Sequence, residues 1–452
     1  MSRSAPALVV LAVVFAGCAG APEPASPDGP PHGVAEWRLT PERERAAEVT
    51  IAANPVDPAN LVVAANSMGG FALHRTADAG ASWTASRFRA EDVARLAAGA
   101  PRFQRLSDPA LAFGPAGELY LAGLAFQPTS AVFVAKSHDG GATWSSVGLV
   151  DESDIVTAFN DKEWLAVGPK TGTIIVAWQK EPAQDMLRDV EMRTGLDVDI
   201  GDIVVSRSTD GGATWSKPAL ASRGRHNNGT QVAFTPDGRA HLLWVNYETS
   251  TLDHVVSSDD GATWSAPRAA ADVKIAPPLP RYARMHTLPA LVADPEQNVL
   301  HAVWHDFRHG DVDVLAATSL DGGATWAAPR RVNDDAVGNG VHQLYPWAAV
   351  DPAGALHVAF YDMREDPSKP RFRFFHASSA IPGGPFGANR PVSLEPFTAF
   401  AKAGVGPTDV DDERRSFGDY TGLAANDRGV FPAWTDGRHE VETIYVARIP
   451  PS

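Results

Sequence analysis

An all-β chain built from repeats is what this sequence predicts, and three observations carry the prediction. An eight-residue pattern, Ser/Thr-x-Asp-x-Gly-x-Thr/Ser-Trp, occurs five times, at Thr76–Trp83, Ser137–Trp144, Ser208–Trp215, Ser257–Trp264 and Ser319–Trp326. Its aspartates, Asp78, Asp139, Asp210, Asp259 and Asp321, recur on average about every 61 residues, which is the mark of a repeat architecture. Finally, 39 Gly and 36 Pro are spread over all 452 residues, as many short strands joined by tight turns require.

The elements follow in chain order. Met1–Gly17 carries Arg3 and an apolar stretch from Ala5 to Ala16, too short for a stable membrane anchor and patterned as a secretory signal. It ends in Phe15-Ala16-Gly17-Cys18, which resembles a bacterial lipobox, so Cys18 is the expected lipidation site. Ala19–Gly33 is Pro-rich without a large apolar residue and reads as a disordered tether. From there the repeats begin. In each box the Asp can bond backbone N–H groups ahead of it, Gly supplies the positive φ of a tight turn, and Trp is a large apolar plug. The second repeat shows the preceding runs plainly: Asp108–Phe113, Glu118–Leu124 and Ala131–Ser137. The fifth offers Leu288–Ala293, Val299–Trp304 and Val312–Thr318, and the sixth Pro346–Val350, Ala355–Tyr361 and Arg371–Ala377, followed by an eroded box at Ser378–Phe386. A last unit, Tyr420–Ala425, Gly429–Trp434 and Glu442–Ile449, stops after three strands. Two insertions interrupt the series: Arg87–Arg105, with helical spacing at Val93, Leu96 and Ala97, and Leu394–Ser416, which contains the charged run Asp409–Arg415.

The five boxes resemble the Asp boxes, or bacterial neuraminidase repeats, of the sialidase superfamily. That resemblance implies a β-propeller over residues 34–452, with the boxes joining third to fourth strands on the face away from the active site. Units beginning near residues 48, 106, 160, 229, 287, 345 and 419 give seven blades, against the six of sialidases. The fourth strand missing from the last unit is expected from the N-terminal side, near Val34–Thr40, which would close the ring without a free edge.

On the opposite, upper face two sets of residues converge. Inner strands start with polar runs: Arg105–Pro109, Asn160–Trp164, Asn227–Thr230, Arg284–Thr287, His342–Pro346 and Phe417–Thr421. Such a ring, with Asp108, Asp161, Glu163, His286, Tyr345, Asp419 and Tyr420, would shift its members' pKa values against one another. The plainer alternative is capped strand ends around water, or a cation between Asp108, Asp161 and Asp419. After the second strands of the last three units comes a shared pattern, Asp306-Phe307-Arg308, Asp362-Met363-Arg364 and Asp436-Gly437-Arg438. Arg308, Arg364 and Arg438 would either grip an anionic substrate bidentately or pair with their own Asp and tie blade to blade. The resemblance implies a Tyr nucleophile with a Glu partner and an Asp acid, for which Tyr345 or Tyr420, Glu163, and Asp108 or Asp161 are the candidates. The Arg-Ile-Pro sequence of the family's first blade is absent there; Arg448-Ile449-Pro450 at the chain end falls on the other face.

Function is therefore expected to be a sialidase-like glycoside hydrolase on anionic glycans, alternatively a non-catalytic propeller binding a glycan or protein, or a polysaccharide lyase using His286 or His342 with Tyr345. Lys+Arg 39 against Asp+Glu 54 gives a net charge of −15 and argues against nucleic acid as partner. The single Cys excludes an intrachain disulfide and a zinc site built on several cysteines, and no cofactor is expected. The protein should be a monomer in the cell envelope, held to a membrane by its lipid alone.

Overall fold

The computed structural model describes residues 33–41, 44–182, 201–224, 226–277, 286–365, 371–398, 400–401, 415–439 and 441–451. Within them the chain forms seven antiparallel sheets arranged as propeller blades, six of four strands and the sixth blade with a short fifth strand, Phe397–Thr398, paired to Arg371–Ser379. The inner strands are Ala46–Ala53, Arg105–Phe113, Ala158–Val167, Asn227–Phe234, Ala290–Ala293, Gln343–Val350 and Gly422–Asn426 for blades 1 to 7. The seventh blade takes its outer strand from the start of the described chain: Ala35–Arg38 pairs antiparallel with Thr443–Arg448, in the register Ala35↔Arg448 to Arg38↔Tyr445. No helix of the described residues is long and apolar enough to cross a membrane.

Apolar clusters fill the spaces between neighbouring blades. One joins blades 1 and 2 through Phe71, Phe88, Leu121 and Phe133. Another crosses the closure, with Leu61 and Val63 against Phe431, Ile444 and Val446. The box tryptophans belong to these clusters: Trp83 packs into the seam with blade 7, Trp144 into that between blades 1 and 2, and Trp326 into that between blades 4 and 5. Each therefore plugs the gap between its own blade and the preceding one.

All five boxes share one set of bonds. In the second, the Ser137 hydroxyl donates to Asp139 Oδ1 at 2.8 Å and accepts from the Gly141 N–H at 2.9 Å. The Thr143 N–H donates to Asp139 Oδ1 at 2.8 Å and its hydroxyl to Oδ2 at 2.6 Å. The eroded sixth box has no Asp; Ser379 Oγ donates instead to the Ile381 carbonyl at 2.9 Å. The first insertion contains the expected helix, Ala90–Leu96, capped where the Arg89 N–H donates to Asp92 at 2.9 Å, with Val93 and Ala97 buried. The signal segment, Cys18, the tether up to residue 32 and Asp409–Arg414 lie outside the described residues.

Four inner strands differ from the expected runs, the seventh running over Gly422–Asn426 and not Tyr420–Ala425. Blade 2 begins at Arg105, not Asp108, and blade 6 at Gln343, not Pro346, because a bulge lets pairing resume upstream of it. Blade 5 begins only at Ala290.

Candidate functional site

The bulges build the site. Pairing of inner with second strand shifts between Ala47 and Val49, Ser107 and Ala110, Asp161 and Trp164, Asn228 and Gln231, and Leu344 and Trp347. At each shift one residue is left-handed: Glu48 at φ 57°, Asp108 at 57°, Lys162 at 50°, Gly229 at 69° and Tyr345 at 47°. L side chains rarely adopt this conformation, which persists only where surrounding bonds hold it. The bulge breaks the alternation of the strand and re-aims the side chain.

Four consecutive blades around the closure contribute charges that meet. Lys162 Nζ lies 2.7 Å from Asp419 Oδ2 and 3.2 Å from Asp108 Oδ2. A cation between Asp108, Asp161 and Asp419 was one expectation; the Lys162 ammonium bridges two of the three, Asp108 and Asp419. Ser107 Oγ donates to Asp108 Oδ1 at 2.6 Å, the Asp108 N–H donates to Asn66 Oδ1 at 2.9 Å, and Asn66 Nδ2 also bonds the Glu48 carboxylate. The Asp419 N–H donates to Glu48 Oε1 at 3.2 Å. Glu48, Asp108, Lys162, Glu163 and Asp419 are all buried. Beside them a cavity of about 20 Å³, enough for a water, is lined by Asp108, Lys162, Glu163, Trp164, Trp347 and Tyr420 among others. Its three aromatic rings pack on one another: the Trp164 and Trp347 ring centroids are 4.8 Å apart, and Tyr420 lies 5.9 Å from Trp164 and 6.1 Å from Trp347.

The two carboxyls lining this cavity are driven apart in acidity. Burial, and then the charges of Asp108 and Asp161, push Glu163 well above the ordinary glutamate value. Neither of its oxygens reaches a hydrogen-bond partner on another described residue. Burial also pushes Asp108 up, but the Lys162 ammonium and the Ser107 hydroxyl outweigh it and hold the carboxyl below its ordinary value. Burial, followed by Asp108 and Glu48, pushes the Tyr420 phenol well up. Its hydroxyl donates to the Pro109 carbonyl at 3.3 Å and not to a carboxylate.

The remaining candidates stand apart from this cavity. Tyr345 is buried edge-on against His305 at 5.8 Å and Tyr361 at 6.2 Å. Asp161 is half-buried opposite Gln179, and His286 is buried at the start of blade 5. His342 accepts from the Val312 N–H through Nδ1 at 3.1 Å. The arginines close on their own aspartates. Arg308 donates from Nε and Nη2 to the two oxygens of Asp306, both at 2.7 Å. Arg364 grips Asp362 at 2.9 and 2.8 Å and reaches Asp334 and Asn389. Arg438 holds both oxygens of Asp436 at 2.9 and 2.8 Å and reaches Glu36 on the closing strand at 2.7 Å. Their geometry is the one in which the repeated Asp–Arg pair ties strands and blades together.

Sequence reading passed over Glu48, Asn66 and the part played by Lys162. The signal was there for Glu48: it interrupts the apolar run Ala46–Ala53 just as Asp161–Glu163 precedes Trp164-Leu165-Ala166-Val167.

No family model and no curated protein matches the chain. Solved structures with a similar fold include a microbial sialidase, Hz136, from a Hadza source, 16% identical over 86% of this chain and 73% of that one, with a TM-score of 0.47. A K499G mutant of the NanB sialidase of Streptococcus pneumoniae is 10% identical over 86% and 83%, with a TM-score of 0.48. An α-L-arabinanase of Penicillium chrysogenum is 16% identical over 75% and 92%, with a TM-score of 0.42. These are likenesses of fold: the chain is a seven-bladed all-β propeller, and its neighbours include glycoside hydrolases.

Proposed function

We propose that this protein is a glycoside hydrolase acting on glycans outside the cell, with Glu163 as general acid and Asp108 as the ionised carboxylate. The observation that supports it is the opposed acidity of these two groups around one small cavity. Glycoside hydrolysis needs one carboxyl that holds its proton to protonate the leaving oxygen, and a second that stays ionised as base or nucleophile. Lys162 and Ser107 hold Asp108 below its ordinary value against the effect of burial, and burial with the charges of Asp108 and Asp161 raises Glu163 above its own. This reverses the roles the family resemblance implied, where Glu163 would take a proton from a tyrosine. The sialidase-type reading on anionic glycans rests on the likeness of the five boxes, which are turns remote from this cavity, and is the alternative that a comparison of neutral with anionic substrates tests. The Glu163→Gln variant tests the assignment. Because glutamine copies the neutral acid in shape, the fold should persist while turnover on a panel of glycosides falls about 100-fold or more. Turnover equal to the parent would remove Glu163 from the chemistry.

A second reading, a non-catalytic propeller that binds a glycan or protein, is favoured by the burial of every charged group in the cluster. Glycan binding without turnover, unchanged in Glu163→Gln, would establish it. The lyase reading has less support, since His286, His342 and Tyr345 do not line the cavity. Export and lipidation at Cys18 are part of the proposal, and loss of detergent-phase partitioning in Cys18→Ser tests them.

A further inference from the structure

Resting on the glycosidase reading, we infer that the sugar taken at the mouth of this site, over a cavity of about 20 Å³ that itself admits only a water, is uncharged: a neutral glycan, recognised by aromatic faces and carboxylates and not by arginine. Two independent observations converge on this. The first is the sign of the charge. Asp108 and Asp419 share one ammonium at 3.2 and 2.7 Å, and the Glu48 carboxylate accepts from the Asp419 N–H beside them, so carboxylates outnumber the cation. A carboxylate-bearing sugar placed over this floor would meet like charge in a low-dielectric setting, where repulsion is strongest.

The second is the state of the arginines. A guanidinium recognises a carboxylate by presenting its fork of N–H groups, and the forks of Arg308, Arg364 and Arg438 are filled by Asp306, Asp362 and Asp436. Those three aspartates have no exposed side-chain surface. Turning a fork to a substrate would leave a buried carboxylate without its partner, so these pairs are poor receptors for an anion. Arg105 is exposed at the rim, where solvent screens its charge. What the cavity wall does offer is Trp164, which is partly exposed, beside Trp347 and Tyr420. Flat aromatic faces suit the C–H surface of a sugar ring, and carboxylates accept from its hydroxyls.

The test uses the purified full chain with two sets of fluorogenic substrates: 4-methylumbelliferyl arabinofuranoside, xyloside, galactoside and fucoside, against the sialoside and the glucuronide. At least tenfold higher kcat/KM on one neutral substrate than on either anionic one is expected. Equal or faster turnover of the sialoside or glucuronide overturns the inference while leaving the glycosidase reading intact. No turnover of any substrate sinks that reading, and this inference with it. The Glu48→Gln variant, outside the acid–base pair and near-isosteric, separates charge from shape. Removing one negative charge should narrow the neutral-to-anionic ratio several-fold, and an unchanged ratio would show that charge does not discriminate.

Discussion

Lys162 and Glu163 are neighbours in sequence and opposites in energetics. Lys162 bridges two buried carboxylates from two other blades; replacing it with Met leaves Asp108 and Asp419 facing each other without a cation. Breaking a buried pair from one side costs about 3–5 kcal/mol, so Lys162→Met should lower the free energy of unfolding in urea by that order. Glu163 moves stability the other way. Its pKa is raised in the fold, so the folded state holds the proton more tightly than the unfolded chain does. That contribution is complete below the unfolded value near 4.5 and is lost as pH rises toward the folded value. Glu163→Gln should therefore match the parent in stability at pH 4 and exceed it at pH 8. A variant less stable than the parent at pH 8 would mean that Glu163 is ionised and paired.

At the scale of the element, the box and the bulge do different work on opposite ends of the blade. The box is a local turn: its bonds run between residues two to four apart, and its Asp carries no interaction with the channel. Hydroxyl and N–H bonds hold Asp139, Asp210, Asp259 and Asp321 at about 2, below the ordinary aspartate value. Asp210→Ala removes three such bonds at an exposed site and should cost about 1–3 kcal/mol in a denaturant melt. The kcat of any measured activity should stay within twofold of the parent. Loss of activity with stability intact would place the box in the functional site.

For the whole molecule the closure decides. The strand Ala35–Arg38 supplies the seventh blade's outer edge, Trp37 packs with the box of blade 1 beside Gly80, and Glu36 holds Arg438 at 2.7 Å. Deleting residues up to Thr40 removes all three and opens the ring beside the charge cluster. The midpoint of thermal unfolding should fall by about 5 °C or more. Deleting only Ala19–Gly33 should leave it unchanged, and equal melting of the two deletions would show that the ring holds without this strand.

Much of this architecture is legible in the residues because its determinants are local. The box pattern names its own turn, the spacing counts the blades, and three strands without a box announce that the fourth comes from elsewhere. Polar residues at inner-strand starts mark the channel for the same reason: a strand packed on both sides has no other use for Asp108, Asp161 or Asp419. What tertiary structure alone decided is which of these groups meet. Lys162 and Asp419 are 257 residues apart and bond because the ring closes blade 7 against blade 1, with blades 2 and 3 following. The arginines show the same limit from the other side, since an Asp two residues before an Arg reads alike whether the fork is open or filled. Only the fold, by burying the three aspartates, fills it. Local patterns specify turns and strands through bonds a few residues long, whereas the sign and acidity of a site come from burial and from charges brought together across blades.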